Sequence, residues 1–257
     1  EFIEALARGK GPDIILIPQD MIFRHSDKIV SVPFNILPER KFRDTYIEES
    51  EMYINKDGVY ALPFSVDPLV MYWYRDLFTN AGIASYPKTW TDVQLILPKL
   101  TIKDVNSNIR RSAIALGDFT NVTNAKEILS SLIFQVGNSI TQNRDLGLYS
   151  TLYGSENSDR VVDAVNFFTK FVNPQDKLYS WNRSLPQSKN SFIAGNLSMY
   201  FGFASELRDI RDKNPNLDFD VSLLPQIKDS KTRVTFGKLY GMSIVKGTAN
   251  QSASYSA

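Results

Sequence analysis

Residues 58–90, GVYALPFSVDPLVMYWYRDLFTNAGIASYPKTW, decide the fold. Residues 59–62 form a short apolar run ended by Pro63, and residues 69–74 form a longer one that begins after Pro68. Proline gives a β-ladder no donor, so one strand is expected to stop at Pro63 and another to start past Pro68, with a change of sheet between them. Ser65, Val66 and Asp67 then make a joint between two compact bodies, and a carboxylate or hydroxyl at such a seam sits where ligand clefts form. Behind this stretch, Thr89 to Asp92 has the form of a capping box, with Asp in the usual Glu place. Val93, Ile96, Leu97 and Leu100 share one helical face after it, Trp90 is expected to pack, and Pro98 is expected to kink or end the helix.

Working outward, Leu6 and Ala7 close a helix at Gly9 and Gly11, and Pro12-Asp13 leads into the apolar run 14–17, which predicts a buried parallel strand after a helix. That run stops at Pro18-Gln19-Asp20, and crevices in open α/β sheets form past the carboxyl ends of strands. Asp20 is therefore either a ligand group or the cap of the next short helix, and both readings stand. Residues 35–58 alternate weakly and are expected to wind over the surface. His25, the single histidine, lies in a polar basic segment and receives no role.

A second strand is expected at 112–116, broken by Gly117, and the following loop reaches a helix whose apolar stripe runs from Ile128 to Val136. Asn121 and Asn124 in that loop can donate to a hydroxyl-rich ligand or cap the helix. Residues 158–172 read as a core helix. Trp181 lies in a polar aromatic patch, and residues 196–203 alternate at strand spacing before Gly202 permits a sharp exit, leaving Phe203 at the strand end. Another alternating strand is expected at 218–225. The segment 237–246 is the expected return crossing, which makes Tyr240 a candidate cleft residue.

Composition narrows the function classes. Apolar residues at 43% and charged residues at 22% are ordinary globular values, so disordered and fibrous classes are excluded. Twenty-nine Lys and Arg balance 28 Asp and Glu, which removes any electrostatic case for nucleic acid or an anionic membrane. The absence of cysteine excludes disulfides, thiolate metal sites and a cysteine nucleophile. No window reaches the roughly 18 apolar residues of a membrane span. Glu1 starts within a helix end and Ala257 stops within an Ala/Ser-rich helix start, so the chain reads as a fragment whose targeting signal, first strand and final helices lie outside it.

The blocks GKGPDII (9–15), residues 58–83, YPKTWTDV (86–93), SFIAGNLSMYFG (191–202) and FDVSLLPQ (219–226) occur in an order that resembles the extracytoplasmic solute-binding proteins of ABC importers, the family of the maltose-type sugar receptors. The resemblance spans nearly the whole chain. It implies the type II periplasmic-binding-protein fold, an α/β architecture of two lobes, each a mostly parallel sheet flanked by helices, joined by crossing hinge strands. The expected boundaries are residues 1–66 with 237–257 for the first lobe and 67–236 for the second, with hinges near 64–68 and 236–241. It further implies that Asp20 contacts ligand, that a solute is captured between lobes by hinge closure, and that a monomeric receptor docks on an ABC permease of the cytoplasmic membrane. The location implied is the periplasm or the outer face of the cytoplasmic membrane, free or lipid-anchored. Sugar receptors usually carry a Trp just past the strand that here ends near Phe203, and this chain has none there, which leaves Phe203, Trp181 or residues of the expected further tail to supply the aromatic platform.

Three classes of function use these residues differently. A receptor needs aromatic faces and fixed hydrogen-bonding groups without an activated nucleophile, and a carboxylate that accepts two hydroxyls beside an aromatic face is a workable polyol site. An enzyme would use Asp20 and Asp67 as a glycosidase pair. An interaction module would bind no small solute. No nucleotide-binding, nucleophile-elbow or zinc-protease motif is present, so no cofactor, metal or catalytic residue is expected.

Overall fold

The computed structural model describes residues 2–144, 147–153 and 158–256. Its main elements in chain order are β1 (Ile14–Pro18), α1 (Gln19–Arg24), β2 (Leu62–Tyr74), α2 (Trp90–Leu100), β3 (Ile109–Ile114), α3 (Ala125–Gln135), α4 (Ser158–Lys170), β4 (Leu197–Phe203), β5 (Phe219–Leu223) and β6 (Gly237–Val245). The chain divides into two compact units, one of Glu1–Asp67 with Gly237–Ala257 and the other of Pro68–Phe236.

In the first unit β6 lies between β1 and β2. The β1 ladder is antiparallel, not parallel as expected, and runs from Ile14 opposite Ile244 to Pro18 opposite Tyr240; Leu16 on it is exposed, so this apolar run is not a fully buried strand. Its core gathers Ile17, Ile22, Val59, Ala61 and Leu239 around Phe42 and Tyr53. Burial pushes the Tyr53 phenol well above its ordinary pKa. The last two of these overturn the expectation that residues 35–58 only cover the surface. Phe42 lies on a helix, Glu39–Thr45, and Tyr53 ends a 3-10 turn, Glu48–Tyr53, and both rings are fully buried. One large side chain per short element anchors it to the core, and so sparse an anchor leaves no periodic pattern in the sequence.

The sheet of the second unit runs β3, β4, β2, β5. Strand β4 is parallel to β3 but antiparallel to β2, and β5 is antiparallel to β2. The sheets are thus mixed rather than mostly parallel, because β2 and β6 carry the chain in and out against the direction of their neighbours. All seven residues of β4 are buried, Ser198 and Tyr200 included, so its polar-apolar alternation marks a central strand covered on both faces and not a half-exposed one.

Strand β2 corrects the expected break. It is continuous over 13 residues through Pro63 and Pro68. Its pairing with β4 starts at Leu69 and that with β5 at Val70, so Pro68 stands just before the ladders where they require no donor. The capping box of α2 forms as expected, with the Asp92 N–H donating to Thr89 Oγ1 at 3.1 Å and the Thr89 N–H donating to Asp92 Oδ2 at 2.9 Å. Trp90 is buried as expected, whereas Pro98 sits in the last turn and does not stop α2 before Leu100.

Gly241 is where the first unit packs most tightly around β6. A Cβ there would stand 2.6 Å from Ala61 Cβ and 3.0 Å from Tyr53 Cε2. Gly241→Ala is expected to destabilise this unit by about 1–3 kcal/mol through overpacking. Gly237→Ala, whose Cβ would meet only Val66 Cγ2 at 3.2 Å and a backbone oxygen at 3.9 Å, is expected to cost less. Thermal unfolding of the two variants checks the order, and a Gly241→Ala protein that melts like the parent contradicts this packing.

Candidate functional site

In the first unit the carboxyl end of β1, the last residues of β2 that belong to this unit (Val66 and Asp67) and the start of β6 meet at one sheet edge. Pro18 lies opposite Tyr240, and the Cβ direction of Gly237 points at Val66. The β1 ladder ends because the chain turns into α1 at Gln19, and the Gln19 side chain carries the ladder one step further. Its Nε2 donates to the Gly237 carbonyl at 3.3 Å, and its Oε1 accepts from the Leu239 N–H at 2.9 Å. A carboxamide has the same donor and acceptor as a peptide, so it substitutes for the missing strand residue. Asp20 follows in the first turn of α1 and is exposed. Ser65 is exposed and Asp67 half-buried on the same edge, and Tyr240 is half-buried on β6. The structure therefore brings Asp20, Ser65, Asp67 and Tyr240 to one edge of this unit.

In the second unit the carboxyl ends of β3, β4 and β5 share one edge with the beginning of the β2 segment at Leu69, since Phe203 pairs with Leu69 and Leu223 with Val70. The loop after β3 is held by Asp118. The Thr120 N–H donates to its Oδ1 at 2.7 Å, and Arg183 Nε donates to its Oδ2 at 3.0 Å. Burial opposes the charge on Asp118, but these donors outweigh it and hold the carboxyl below its ordinary pKa. Asn121 is buried next. It accepts from Trp181 Nε1 at 2.9 Å and donates to the carbonyls of Asn182 at 2.9 Å and Leu185 at 2.8 Å. Trp181 itself is 0% exposed and Phe203 3%.

These positions change the sequence expectation for three residues. Asn121 spends its amide on two backbone carbonyls, and Trp181 and Phe203 are core side chains with no open ring face, so the structure supplies no aromatic platform from either. Asn124 differs. It precedes α3 with a left-handed φ of 62°, makes no side-chain cap bond, and is half-buried. Its Nδ2 faces Tyr200, Phe201 and Glu206.

Gln19 and Glu206 are the residues that pattern reading passed over. Glu206 gathers four donors. The Phe203 N–H reaches Oε1 at 2.8 Å and Asn124 Nδ2 reaches it at 3.2 Å, while Oε2 takes the Tyr200 hydroxyl at 2.9 Å and Lys189 Nζ at 2.7 Å. Burial opposes the Lys189 charge, but Asp209 and Glu206 together raise its pKa above the ordinary value. The available signal for both residues was position: Gln19 stands directly after a strand end, and Glu206 three residues after one.

Concave surface elsewhere in this unit is of another kind. One groove of about 270 Å³ is lined by Trp90, Leu132, Ala164 and Phe167 on the helical flank. Another of about 260 Å³ lies at the amino end of β4 beside Ser112 and Asn196. Among the described residues no cluster of three or more His, Asp or Glu could hold a metal ion, and no helix is long and apolar enough to cross a membrane.

A family model described as bacterial extracellular solute-binding protein matches residues 1–255. No curated protein sequence matches the chain. Among solved structures, the maltose-maltodextrin binding protein of Alicyclobacillus acidocaldarius is similar at 20% identity and a TM-score of 0.68, covering 99% of this chain and 63% of that one. An ABC substrate-binding protein from Listeria monocytogenes in complex with cycloalternan is similar at 17% identity and TM-score 0.70, with 99% and 62% covered. UgpB from Mycobacterium tuberculosis, in complex with glycerophosphocholine, is similar at 18% identity and TM-score 0.70, with 97% and 59% covered. The chain thus spans roughly three fifths of the length of these structures. At such identities the likeness carries the fold, which is the type II periplasmic-binding-protein fold.

The Asn121 network yields a direct test. Asn121→Ala strands the Trp181 N–H and two buried-side carbonyls, at a cost of about 1–3 kcal/mol. Denaturant unfolding is expected to show that loss together with a shift in Trp181 fluorescence. A variant as stable as the parent contradicts the assignment of Asn121 to the scaffold.

Proposed function

The chain belongs to the family of bacterial extracellular solute-binding proteins, and from that membership we propose that it is the solute receptor of an ABC import system, taking a small hydroxyl-rich solute at the strand edges just described. The observation that carries this reading is the placement of the crossings. The backbone leaves the second unit at Pro68 and Phe236 on its carboxyl edge, and it enters the first unit at the edge holding Asp20, Ser65, Asp67 and Tyr240. Polar groups at strand ends beside the points where the chain passes between bodies are the arrangement that ligand crevices use.

Asp20 and Asp67 serve as acceptors for solute hydroxyls, Ser65 and Tyr240 as hydroxyl partners, and Asn124 as the contribution of the second unit. Asn121, Trp181 and Phe203 support that edge from beneath. With those two rings buried, recognition leans on hydrogen bonds more than on stacking, which suits a polyol or carbohydrate. A solute that contacts both edges stabilises the conformation that brings them to it, and bending at 64–68 and 236–241 supplies the motion. The protein is a binding protein and not an enzyme, so Asp20 and Asp67 are not a glycosidase pair. Its partner is an ABC permease in the cytoplasmic membrane, where the monomer acts on the extracytoplasmic side, free or lipid-anchored.

The test is a thermal-shift screen of the full-length protein over maltotetraose, mannobiose, tagatose, polyols, amino sugars and glycerophosphocholine. A true solute at a hundredfold excess over its dissociation constant is expected to add about 2.7 kcal/mol of stability. Asp67→Asn and Asp20→Asn are each expected to weaken its binding by about 1–2 kcal/mol. The absence of a shift across the whole screen would sink the receptor reading. Turnover of aryl glycosides that Asp67→Asn abolishes would replace it with the hydrolase.

A further inference from the structure

We infer that Glu206 is a positioning residue that fixes the polarity of Asn124, so that the second unit presents the solute with a hydrogen-bond acceptor, Asn124 Oδ1, and not an amide donor. This rests on the function proposed above and names the chemistry its site selects: solute groups that donate, such as hydroxyls or ammonium groups.

The geometry begins with what surrounds Asn124 Nδ2. Tyr200 Oη lies at 3.3 Å, the Phe201 carbonyl at 3.3 Å and Glu206 Oε1 at 3.2 Å. Two of these, a backbone carbonyl and a carboxylate, can only accept. The third is committed as an acceptor toward Asn124, because the Tyr200 hydroxyl gives its own proton to Glu206 Oε2 at 2.9 Å. Burial pushes the Tyr200 phenol far above its ordinary pKa and the nearby Glu206 charge pushes it further, so that proton stays in place. Turning the amide over would set Oδ1 against the Phe201 carbonyl and the Glu206 carboxylate, with only the already committed hydroxyl left to serve it. The amide orientation is therefore set by three acceptors at one end.

Glu206 is in turn held from outside. Lys189 Nζ lies 2.7 Å from its Oε2 and 2.8 Å from Asp209 Oδ2, and the Phe203 N–H donates to its Oε1 at 2.8 Å. With Nδ2 turned inward, the planar carboxamide directs Oδ1 the other way, and among the described residues no partner for that oxygen is found. Asn124 is a residue that α3 does not need as a side-chain cap, yet it holds a left-handed backbone. The side chain is thus available for a ligand while its orientation is not.

The decisive measurement uses the whole unliganded chain, labelled at asparagine side-chain nitrogen. The Asn124 amide protons are expected to show contacts to the Tyr200 ring and to exchange with water at least about tenfold more slowly than those of exposed asparagines, and Glu206→Gln is expected to accelerate that exchange. Protons that exchange at the exposed rate, without contacts to Tyr200, overturn the orientation. The second arm uses mannobiose and its monodeoxyfluoro series, with whichever sugar raises the thermal midpoint most replacing mannobiose if that sugar does not bind. Fluorine cannot donate. One hydroxyl is expected to cost about tenfold in affinity when replaced in the parent protein, as one net hydrogen bond does, and less than about twofold in Asn124→Gly, a variant that tolerates the left-handed φ. Equal losses in both proteins at every position overturn the acceptor role. A protein that binds no sugar at all removes the receptor reading itself, and the amide orientation then stands or falls on the resonance measurement alone.

Discussion

The structure depends on the way its two crossing segments are tied where they meet the second unit. The Leu69 N–H donates to the Phe236 carbonyl at 2.8 Å, and Thr235 Oγ1 donates to the Leu69 carbonyl at 2.9 Å. Helix α3 reinforces the return segment. The Phe236 N–H donates to Ser131 Oγ at 2.9 Å, and Gln135 Nε2 donates to the carbonyls of Pro225 at 3.0 Å and Val234 at 3.1 Å. On the first unit the same segment continues into the grip of Gln19. Five backbone groups of residues 234–239, the N–H groups of Val234, Phe236 and Leu239 and the carbonyls of Val234 and Gly237, are met here by a side-chain amide or hydroxyl. Such bonds fix the path of the chain without requiring a rigid continuous ladder.

That constraint decides where polar groups can stand open. At the carboxyl edges the strands stop, and their neighbours must be satisfied by loops. Most polar side chains there are used up in doing so: Asn121 on two carbonyls, Asp118 on an amide and a guanidinium, Glu206 on four donors. What stays accessible is a short set: in the first unit Asp20 and Ser65, with Asp67 and Tyr240 half-buried on the same edge, and in the second unit one face of Asn124. The scaffold residues are not idle in the proposed recognition, because a site whose groups are held in advance loses less freedom when a solute arrives.

Much of this was legible in the amino-acid order. Apolar runs and their spacing marked β1, β2, β4 and β5, the capping box marked α2, and residues past strand ends marked the loops that matter. The prolines misled, because strand rules treat Pro68 as a break, while the β4 and β5 ladders of β2 begin only at Leu69 and Val70. Residues 35–58 misled in the opposite way, hiding Phe42 and Tyr53 on elements too short to show a period. Asn121 and Asn124 could not be told apart in sequence. They lie three residues apart in one loop, and their difference comes from partners about 60 to 80 residues further on. Trp181 was taken for an open aromatic for the same reason: nothing beside it in the chain announces Asn121 as its partner.

The central claim is that one solute engages the carboxyl edges of both units, and hydrogen exchange of the full-length protein with and without a binding solute tests it most directly. Slowed exchange is expected together at residues 19–21 and 237–241 in the first unit and at 122–125 and 203–206 in the second, with the helical flank lined by Trp90 and Phe167 unchanged. Protection confined to one unit, or centred on that flank, would contradict the account.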